Sequence, residues 1–512
     1  MIGRWLFFSV CVIHEHMALA QPGTLDPTFD GDGKVTTDFG AATYDAARTV
    51  RVRPDGTVLA AGTSGYSGTQ DFALARYLGN GTLDPGFGAG GVRVLSVGPE
   101  DDIATCMVLP GDTAIVVGGY RLDAGYFGFA MARFHSDGSP DLSFGTSGVV
   151  ATQFPGDATT QASAIALQSG GKILLAGGGA NGMAVVRYHP DGAVDSTFGT
   201  GGLVTIDLSQ GNDAVTGMAV LPDDRILLAG FASGLSSDSI ALARLEVDGA
   251  LDGSFAGGGA FRTSYPTLPS LALGLARMTD GRFVITGTAG TMAFVGRFLE
   301  DGQPDPDFNG FGMKLITVPG SSSEVCHGIA VRDDGRIVVA GRAALITSDV
   351  LVAQLNDDGS MDGSLGTAGI VTTNYFGTAD MAYGVSVQPD GAVVIAGSTN
   401  GGATDLDLAL ARYQDPLTTT MMEHARVEAG SRAFPVPFAD RITIEFEQDG
   451  DGPVWIDLID ARGAEVAQLL DGSIRAKGTH RWSFPIDASL APGAYALRMR
   501  NASGVRSIAL VH

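Results

Sequence analysis

The chain has 512 residues, of which 74 are glycine, and only 17% of its residues are charged. That length allows more than one domain, and the glycine content is typical of a β protein with many turns. The 32 Lys and Arg against 56 Asp and Glu give a net charge of −24. An acidic surface repels nucleic acid and anionic membranes, which argues against both as partners.

The first twenty residues resemble a secretory signal peptide. Arg4 supplies a positive start, residues 5–13 form a short apolar core, and Ala18-Leu19-Ala20 is a small-x-small cleavage site. We therefore expect residues 1–20 to be removed and the mature chain to be secreted or held on the outer cell surface. No later stretch of sequence is long and apolar enough to predict a transmembrane segment.

A signature of the form Leu-Asp-x-x-Phe-Gly-x-x-Gly recurs along the middle of the chain. Its seven copies are spaced by 58, 57, 54, 57, 53 and 57 residues and begin at Leu25, Leu83, Pro140, Val194, Leu251, Pro304 and Met361. A fixed period of this size indicates one supersecondary unit repeated along the chain. The repeat therefore predicts the fold of residues 21–413.

Each period contains four short apolar runs separated by tight turns. A first run ends in a turn such as Pro54-Asp55-Gly56, a second ends in Gly, as in VLAAG (58–62), and a third reads like ALARY (73–77). A second Gly turn, the signature and a fourth run such as VRVLSV (92–97) follow. Runs of this length, rich in Val, Ile and Leu and bounded by Asp-Gly, are typical of strands. Seven periods of four strands predict an all-β fold, a seven-bladed β-propeller.

The two ends of the repeat region complement each other. It opens with a fourth-type strand at 34–39 and ends with a third-type strand at 408–413. Pairing these two strands would complete the last blade and remove the exposed strand edges. We therefore expect a propeller closed by the N-terminal strand, whereas an open solenoid, the alternative, requires no such match.

The strand order also predicts two different faces. The turns after strands one and three share one face, which carries the regular Asp-Gly turns. The links after strands two and four share the opposite face, and they differ between copies, as GTSGYSGTQD (62–71) and GGGANG (177–182) show. We call this opposite face the variable face. Because recognition usually lies in variable loops on a rigid scaffold, we expect a ligand site there, at or near the central channel.

The repeat ends at Tyr413, and the sequence changes character after it. Residues 414–433 show no strand pattern and are expected to form a linker. Residues 434–512 have alternating runs of their own, such as ITIEFE (442–447), VWIDLID (454–460) and AYALRMR (494–500). This pattern predicts a second domain, an Ig-like β-sandwich.

The repeat resembles the bacterial delta-60 repeat. The resemblance covers residues 24–413 and is carried by Leu83-Asp84-Pro85-Gly86-Phe87-Gly88, by the upstream ALARY run (73–77) and by the Pro-Asp-Gly turn (54–56). It implies a secreted, propeller-like protein, and it supplies no general catalytic motif.

The tail resembles the C-terminal sorting domain of the type IX secretion system. The resemblance is carried by FPVPF (434–438), ITI (442–444), IDLIDARGAEV (456–466), LAPGAY (490–495) and a closing strand at 506–511. Val436 and Arg506 depart from the Asn and Lys that are usual at these positions. The resemblance implies export across the outer membrane, with the type IX machinery recognising residues 434–512. Removal of the tail would follow, and release and surface attachment both remain open.

Two polar residues recur so regularly that a structural role is expected. The signature Asp is present in all seven copies, at Asp26, Asp84, Asp141, Asp195, Asp252, Asp305 and Asp362. The third run carries Arg in six copies, at Arg76, Arg133, Arg187, Arg244, Arg297 and Arg412, with Gln354 as the exception. A residue that every copy requires belongs to the scaffold, so we expect these two to pair through charge-assisted hydrogen bonds.

Two motif fragments have structural interpretations. Residues 177–182 fit G-x-G-x-x-G, but a strand follows them instead of the helix that a nucleotide site needs. The DGDG fragments at 30–33 and 449–452 resemble calcium loops without the remaining carboxylates. We expect no cofactor and no metal site, with calcium left open.

Tyrosine gives the positive signal for recognition. Seven tyrosines lie in or beside links of the variable face: Tyr44, Tyr66, Tyr120, Tyr126, Tyr265, Tyr375 and Tyr383. Tyrosine offers rigid contact area with a polar tip, which suits sugar or protein recognition, although ordinary loop packing explains them equally well. The candidate binding residues are Tyr44, Tyr66, Tyr126, Tyr265 and Tyr375, together with Asp101 and Asp102 from an acidic link.

The sequence favours a secreted or cell-surface binding module for an extracellular glycan, protein or surface polymer. It contains no recognisable nucleophile elbow or Ser/His/Asp set, so the enzyme question stays open and leans towards a non-enzyme. The alternatives are a hydrolase or lyase that uses loop carboxylates such as Asp101 or Asp102, and a purely structural surface protein.

Overall fold

The computed structural model describes residues 23–40, 43–66, 69–111, 113–234, 237–377, 379–401, 406–414, 432–434, 441–448, 451–460, 465–485, 494–501 and 504–511. The expected signal peptide and residues 415–431 of the expected linker lie outside the described residues. Within them, every regular element is a β-strand except a single 3₁₀ turn at Ser169–Gly171. No helix in this described part is long and apolar enough to cross a membrane.

Residues 34–413 form seven units of four antiparallel strands. The inner strands are β2 (Ala46–Val52), β6 (Asp102–Val108), β10 (Gln161–Leu167), β14 (Asp213–Val220), β18 (Ser270–Arg277), β22 (Glu324–Val331) and β26 (Asp380–Val387). The second strands are β3 (Val58–Tyr66), β7 (Ala114–Asp123), β11 (Ile173–Gly179), β15 (Ile226–Ser233), β19 (Phe283–Ala289), β23 (Ile337–Ala344) and β27 (Val393–Asn400).

The outer half of each unit is built in the same way. The third strands are β4 (Thr69–Tyr77), β8 (Tyr126–His135), β12 (Gly182–Tyr188), β16 (Asp238–Leu245), β20 (Met292–Phe298), β24 (Ser348–Leu355) and β28 (Leu406–Tyr413). The outer strands are β5 (Val92–Leu95), β9 (Val149–Thr152), β13 (Leu203–Ile206), β17 (Ala260–Thr263), β21 (Met313–Ile316), β25 (Ile370–Thr373) and, from the N-terminus, β1 (Lys34–Thr37).

The units follow one another around a common axis. Each inner strand packs against the inner strand of the next unit, and β26 packs against β2. Five units are separate four-stranded sheets, while the third and fourth are joined because Gly178 and Gly179 of β11 pair with Ala214 and Asp213 of β14. The glycine-rich segment therefore lies in a strand and its hairpin, and strand β12 follows it, as the sequence predicts.

The N-terminal strand completes the last unit. Lys34–Thr37 pairs with Ala411–Leu408 of β28, so the outermost strand of that sheet comes from the opposite end of the repeat region. The first and last units also share a hydrophobic core, in which Val50 and Ala75 pack with Val394 and Leu410. The first and last units are thus held together by both backbone pairing and apolar packing.

The hydrophobic core lies between neighbouring units. Leu59 and Leu74 of the first unit, for example, pack with Ile115 and Val117 of the second. Because each sheet has a neighbour on both sides, both faces of its middle strands are buried. This explains why the second and third runs are almost continuously apolar instead of alternating.

The signature Asp and the third-strand Arg form an ion pair in every unit that has both residues. The N···O distances are 2.6–2.9 Å, and in the unit without the Arg the Gln354 side chain donates to Asp362 at 2.5 Å. The pairing expected from the sequence is therefore confirmed. Each Arg also stacks on the signature Phe and donates to a backbone carbonyl of the next unit, as Arg76 does with Phe87 and the Ser136 oxygen.

The described residues after the repeat form two further sheets. One contains β29 (Arg432–Phe434), β30 (Arg441–Gln448) and β33 (Gly478–Pro485), and the other contains β31 (Gly452–Asp460), β32 (Glu465–Arg475), β34 (Ala494–Asn501) and β35 (Gly504–Val511). Ile444 and Phe446 of the first sheet share a core with Ile456 and Leu497 of the second. Strand β29 crosses the expected linker boundary at residue 433, because Arg432 and Ala433 pair with β30.

Candidate functional site

The channel on the common axis contains a cavity of about 440 Å³ lined by all seven inner strands. Its wall also includes Tyr120, from the second strand β7. The inner strands start where the links of the variable face enter them, so residues near their N-termini surround the mouth on that face. This places a cavity where the sequence leads us to expect a ligand.

A β-bulge shapes every inner strand at the cavity. In each unit the pairing of the inner with the second strand skips one inner-strand residue, between Ala47 and Thr49 in the first unit. Opposite the bulge stands the Gly that ends the apolar run, and a Cβ on Gly62 would lie 1.8 Å from the Ala46 carbonyl oxygen. The bulge leaves its extra residue outside the ladder and presents it at the channel.

The seven bulged residues occupy equivalent positions but are chemically different. They are Arg48, Thr105, Ser163, Thr216, Leu273, His327 and Tyr383, and all seven line the cavity. Thr105 and Thr216 donate their hydroxyls to the Ala162 and Ala272 carbonyls of the next inner strand, at 2.9 Å each. These two threonines therefore tie units together.

Three of the other polar bulge residues, Arg48, His327 and Tyr383, form a cluster at the junction of the sixth, seventh and first units. The Arg48 guanidinium carbon lies 4.2 Å from the centre of the Tyr383 ring, and the His327 ring centre lies 5.2 Å from that of Tyr383. Arg48 Nε is buried and has no hydrogen-bond partner within the described residues. An aromatic ring thus holds a guanidinium at the channel wall, and no carboxylate in the described part of the chain forms an ion pair with it.

A second cation lies deeper in the same strand. Arg51 donates to the Val50 carbonyl oxygen at 2.9 Å, and burial lowers the pKa of its guanidinium. The described residues that line the cavity include no Asp or Glu. The cavity is therefore positively charged in a chain whose net charge is −24.

His327 is neutral at physiological pH. Burial, together with the guanidinium charges of Arg48 and Arg342, lowers the pKa of the His327 imidazole to about 4. Its ring consequently offers the channel a hydrogen-bond donor and an acceptor instead of a third positive charge.

Carboxylates do lie close to the channel mouth, but they are committed to the scaffold. Asp102, a candidate from the sequence, is the first residue of β6 and not a loop residue; it is 0% exposed and accepts the Val97 and Gly98 amides at 2.7 and 2.8 Å. Burial raises its pKa to about 6. Asp213 and Asp380 hold the incoming links of their units in the same way.

The other candidates from the sequence are dispersed. Tyr44, Tyr66 and Tyr126 are 40%, 56% and 55% exposed, and the last two stand at tips of hairpins between second and third strands. Tyr265 packs edge-on against Phe311 at 5.6 Å.

Tyr375 and Asp101 have local partners. Tyr375 is 8% exposed and belongs to the core, which removes it from any binding surface. Asp101 accepts the Gln70 amide at 2.9 Å, which fastens one unit's link to its neighbour. The structure does not bring the seven candidates together, whereas Tyr120 and Tyr383, also noted in the variable-face links, both line the cavity.

One group of carboxylates has the spacing of a cation site. Oxygens of Asp38, Asp45 and Asp407 lie within 4.8 Å of one another beside the last unit. Asp45 is buried and accepts the Phe39 amide at 2.8 Å, so it also has a scaffold role. The DGDG residues near the N-terminus form a turn instead, in which Asp32 accepts the Lys34 amide.

Arg48, Arg51 and His327 were missed as site residues by the sequence reasoning, although a signal for them exists. When the seven units are aligned on the Gly of the second run, the bulged position can be compared between them. It holds a different residue in every unit, apart from threonine in two of them. In a repeat protein, a position that varies between otherwise equivalent copies is released from the scaffold. Identifying this position requires the register of the bulge, which the sequence pattern does not reveal.

Comparison with known families identifies one match. Six stretches of the chain are similar to a family described as a domain of unknown function (DUF5122) beta-propeller, at residues 53–87, 114–144, 168–198, 221–255, 332–364 and 388–414. Each stretch includes the second and third strands of one unit. The comparison with curated proteins found no similar sequence.

Solved structures show distant likenesses. Sqt1 from Chaetomium thermophilum has 12% identity and a TM-score of 0.39 over 80% of this chain and 97% of that chain. The PQQ-bound aldose sugar dehydrogenase from Streptomyces coelicolor has 13% identity and a TM-score of 0.37 over 74% and 98%. A gluconolactonase from Xanthomonas campestris has 12% identity and a TM-score of 0.29 over 74% and 100%. None of these likenesses is close enough to transfer a ligand or an activity.

Proposed function

We propose that this β-propeller protein is an exported binding module that captures a ligand at the mouth of its central channel, on the variable face. The observation that carries the proposal is the Arg48–Tyr383–His327 cluster, which breaks the equivalence of the seven units in one place and points at a cavity. A scaffold residue recurs in every unit, as the signature Asp does. Residues that occur in one unit only, at a bulge that presents them to the channel, are suited to ligand recognition.

The finer architecture belongs to the same proposal. We take the seven four-stranded units as the seven blades of a closed ring, supported by the pairing of β1 with β28 and by the packing of β26 against β2. A closed ring holds the wall of the channel rigid, so the bulged side chains are positioned before a ligand arrives. Such preorganisation reduces the entropy lost on binding.

Export is proposed from the sequence. A signal peptide at 1–20 and a tail that resembles a type IX sorting domain would take the protein across both membranes to the medium or the outer cell surface. The two packed sheets of the tail are compatible with an Ig-like β-sandwich. In this proposal the tail serves secretion and the propeller serves binding.

Binding is favoured over hydrolysis because the expected carboxylates are unavailable. Asp102 is enclosed by backbone amides, and Asp101 is committed to the Gln70 amide. A glycosidase needs two carboxyl groups facing one another across the substrate. The described lining of the cavity offers none.

The test is binding of the purified full-length secreted protein to a broad array of glycans and extracellular proteins. We expect selective binding that is lost in Arg48→Gln and in Tyr383→Ala and kept in Arg262→Gln. Arg262 is an exposed residue of the outer strand β17 and serves as a matched loss of one charge. A blank array, or binding that survives both channel substitutions, would contradict the proposed function.

A further inference from the structure

We infer that the channel cavity takes a small ligand bearing an oxyanion, a carboxylate or a phosphate, held by Arg48 and Arg51 with its body against Tyr383 and Tyr120. This inference rests on the proposed function and names the chemistry of the ligand.

The first argument is local charge. Two guanidinium groups line one cavity from the same strand, and the described lining contains no acid to balance them. Elsewhere in the repeat, the recurring third-strand Arg residues are paired with carboxylates. An anion bound in this cavity would face two guanidinium groups and would form charge-assisted hydrogen bonds with a guanidinium.

The second argument is an unsatisfied donor. The buried Nε of Arg48 has no acceptor within the described residues, although buried polar groups normally have one. The guanidinium carbon lies 4.2 Å from the centre of the Tyr383 ring, a contact that restrains the group at the cavity wall. A planar fork of donors matches the two oxygens of a carboxylate or a phosphate.

The third argument concerns the body of the ligand. The cavity of about 440 Å³ is within the range of small-molecule sites. Its wall offers the rings of Tyr383 and Tyr120, the hydroxyl of Ser163 and the neutral imidazole of His327. Aromatic rings with a few polar groups suit a compact ring, such as a sugar that carries the acidic group.

Calorimetry on the full-length protein tests the inference with three probes that share one body. We expect galacturonate or galactose 6-phosphate to bind, which distinguishes carboxylate from phosphate, and galactose to bind far more weakly. Arg48→Gln should weaken anion binding by roughly ten- to a hundredfold, as expected for loss of a charged hydrogen bond, Arg48→Lys by less, and Arg262→Gln not at all. Equal binding of galactose, or anion affinity unchanged in Arg48→Gln, would overturn the inference.

A second measurement is independent of the ligand's body. Crystals soaked in bromide should show anomalous density beside Arg48 in the wild type and none there in Arg48→Gln. No anion at Arg48 in the wild type would reject the oxyanion site even if the array shows a channel-dependent ligand, in which case the proposed function stands. Anion binding with a blank array would reject the macromolecular ligand and retain the site.

Discussion

Individual residues in this repeat separate into those that every unit needs and those that only one unit has. The sixth unit shows how strict the first group is. There Gln354 replaces the Arg and Leu365 replaces the Phe on which that Arg would stack. Arg332 from a neighbouring turn donates to Gln354 at 2.9 Å and to the Gly391 carbonyl at 2.7 Å, so a guanidinium still connects the unit to the next one. The sixth unit thus retains an arginine contact to the next unit, although the arginine comes from a different sequence position.

Replacing the third-strand Arg by Gln in another unit, and Gln354 by Arg in the sixth unit, should therefore have different effects on stability. Arg133→Gln removes the ion pair with Asp141, the stacking on Phe144 and the bond to the next unit, and in that unit the position equivalent to Arg332 is Leu109. We expect the free energy of unfolding to fall by about 2 kcal/mol. Gln354→Arg should bring no gain, because Arg332 already occupies that place. Denaturant unfolding measures both, and a stabilised Gln354→Arg would show that this account of the sixth unit is wrong.

Asp102 allows a pH prediction at the same scale. Burial raises its pKa in the folded protein to about 6, from an ordinary value of 3.8, so the folded state binds more protons than the unfolded state between these values. The contribution of Asp102 to stability therefore decreases as pH rises through this window. Asp102→Asn keeps an oxygen for the Val97 and Gly98 amides and removes the charge.

Thermal unfolding between pH 5 and 8 provides the measurement. The melting temperature of Asp102→Asn relative to the wild type should increase up to about pH 6, the folded-state value, and then level off. Asp207→Asn, at an exposed aspartate, should show no such trend. A constant difference across the range would exclude Asp102 as the titrating group.

At the scale of elements, the sequence predicted the centre of each strand but not its ends. VLAAG (58–62) falls within β3, which continues to Tyr66, and ALARY (73–77) falls within β4, which begins at Thr69. The missed ends lie towards the variable face and are mostly polar, so no apolar pattern marks them, although Thr63 and Ser64 are buried. Gly62 was interpreted as the end of a strand, whereas it lies within β3 opposite the bulge.

The same limit applies to the site. The repeat pattern predicted a central channel and a variable face, because both follow from the strand order. It could not identify Arg48 or His327, since a bulge shifts the alternation by one residue and thereby changes which side chains reach the channel. Strand β32 was missed for a related reason: its pairing with β31 is irregular at three points.

Gly230 allows a test of the bulge. It stands opposite the bulge of β14, and a Cβ there would lie 1.8 Å from the Ala214 carbonyl oxygen. Gly230→Ala must push the inner strand away, and we expect a loss of at least about 2 kcal/mol in the free energy of unfolding. Gly253→Ala is the matched control, because nothing lies within 4 Å of its Cβ position. Equal stability of the two variants would mean that the bulge does not require glycine.

For the whole molecule, closure between distant parts of the chain is the decisive feature. Asp26 and Arg412 form an ion pair at 2.8 Å across almost the entire repeat region, and Lys34–Thr37 supplies the outer strand of the last unit. Contacts of such long range form late and at a high entropic cost. In the closed ring that we propose, this closure fixes the wall of the channel, so we expect closure and binding to be linked.

A chain that begins at Tyr44 tests this link. Without β1, strand β28 has an unpaired edge and Arg412 loses Asp26, so we expect a lower melting temperature and self-association through the exposed edge. Added in trans, a peptide of residues 23–40 should restore the monomer and the melting temperature, because it can pair with β28. The same peptide carrying Asp26→Ala and Val35→Asp should fail, since Val35 is buried in the core shared by the first and last units. Size-exclusion chromatography and thermal unfolding distinguish these outcomes. A truncated chain as stable and monomeric as the parent would show that the N-terminal strand does not close the ring.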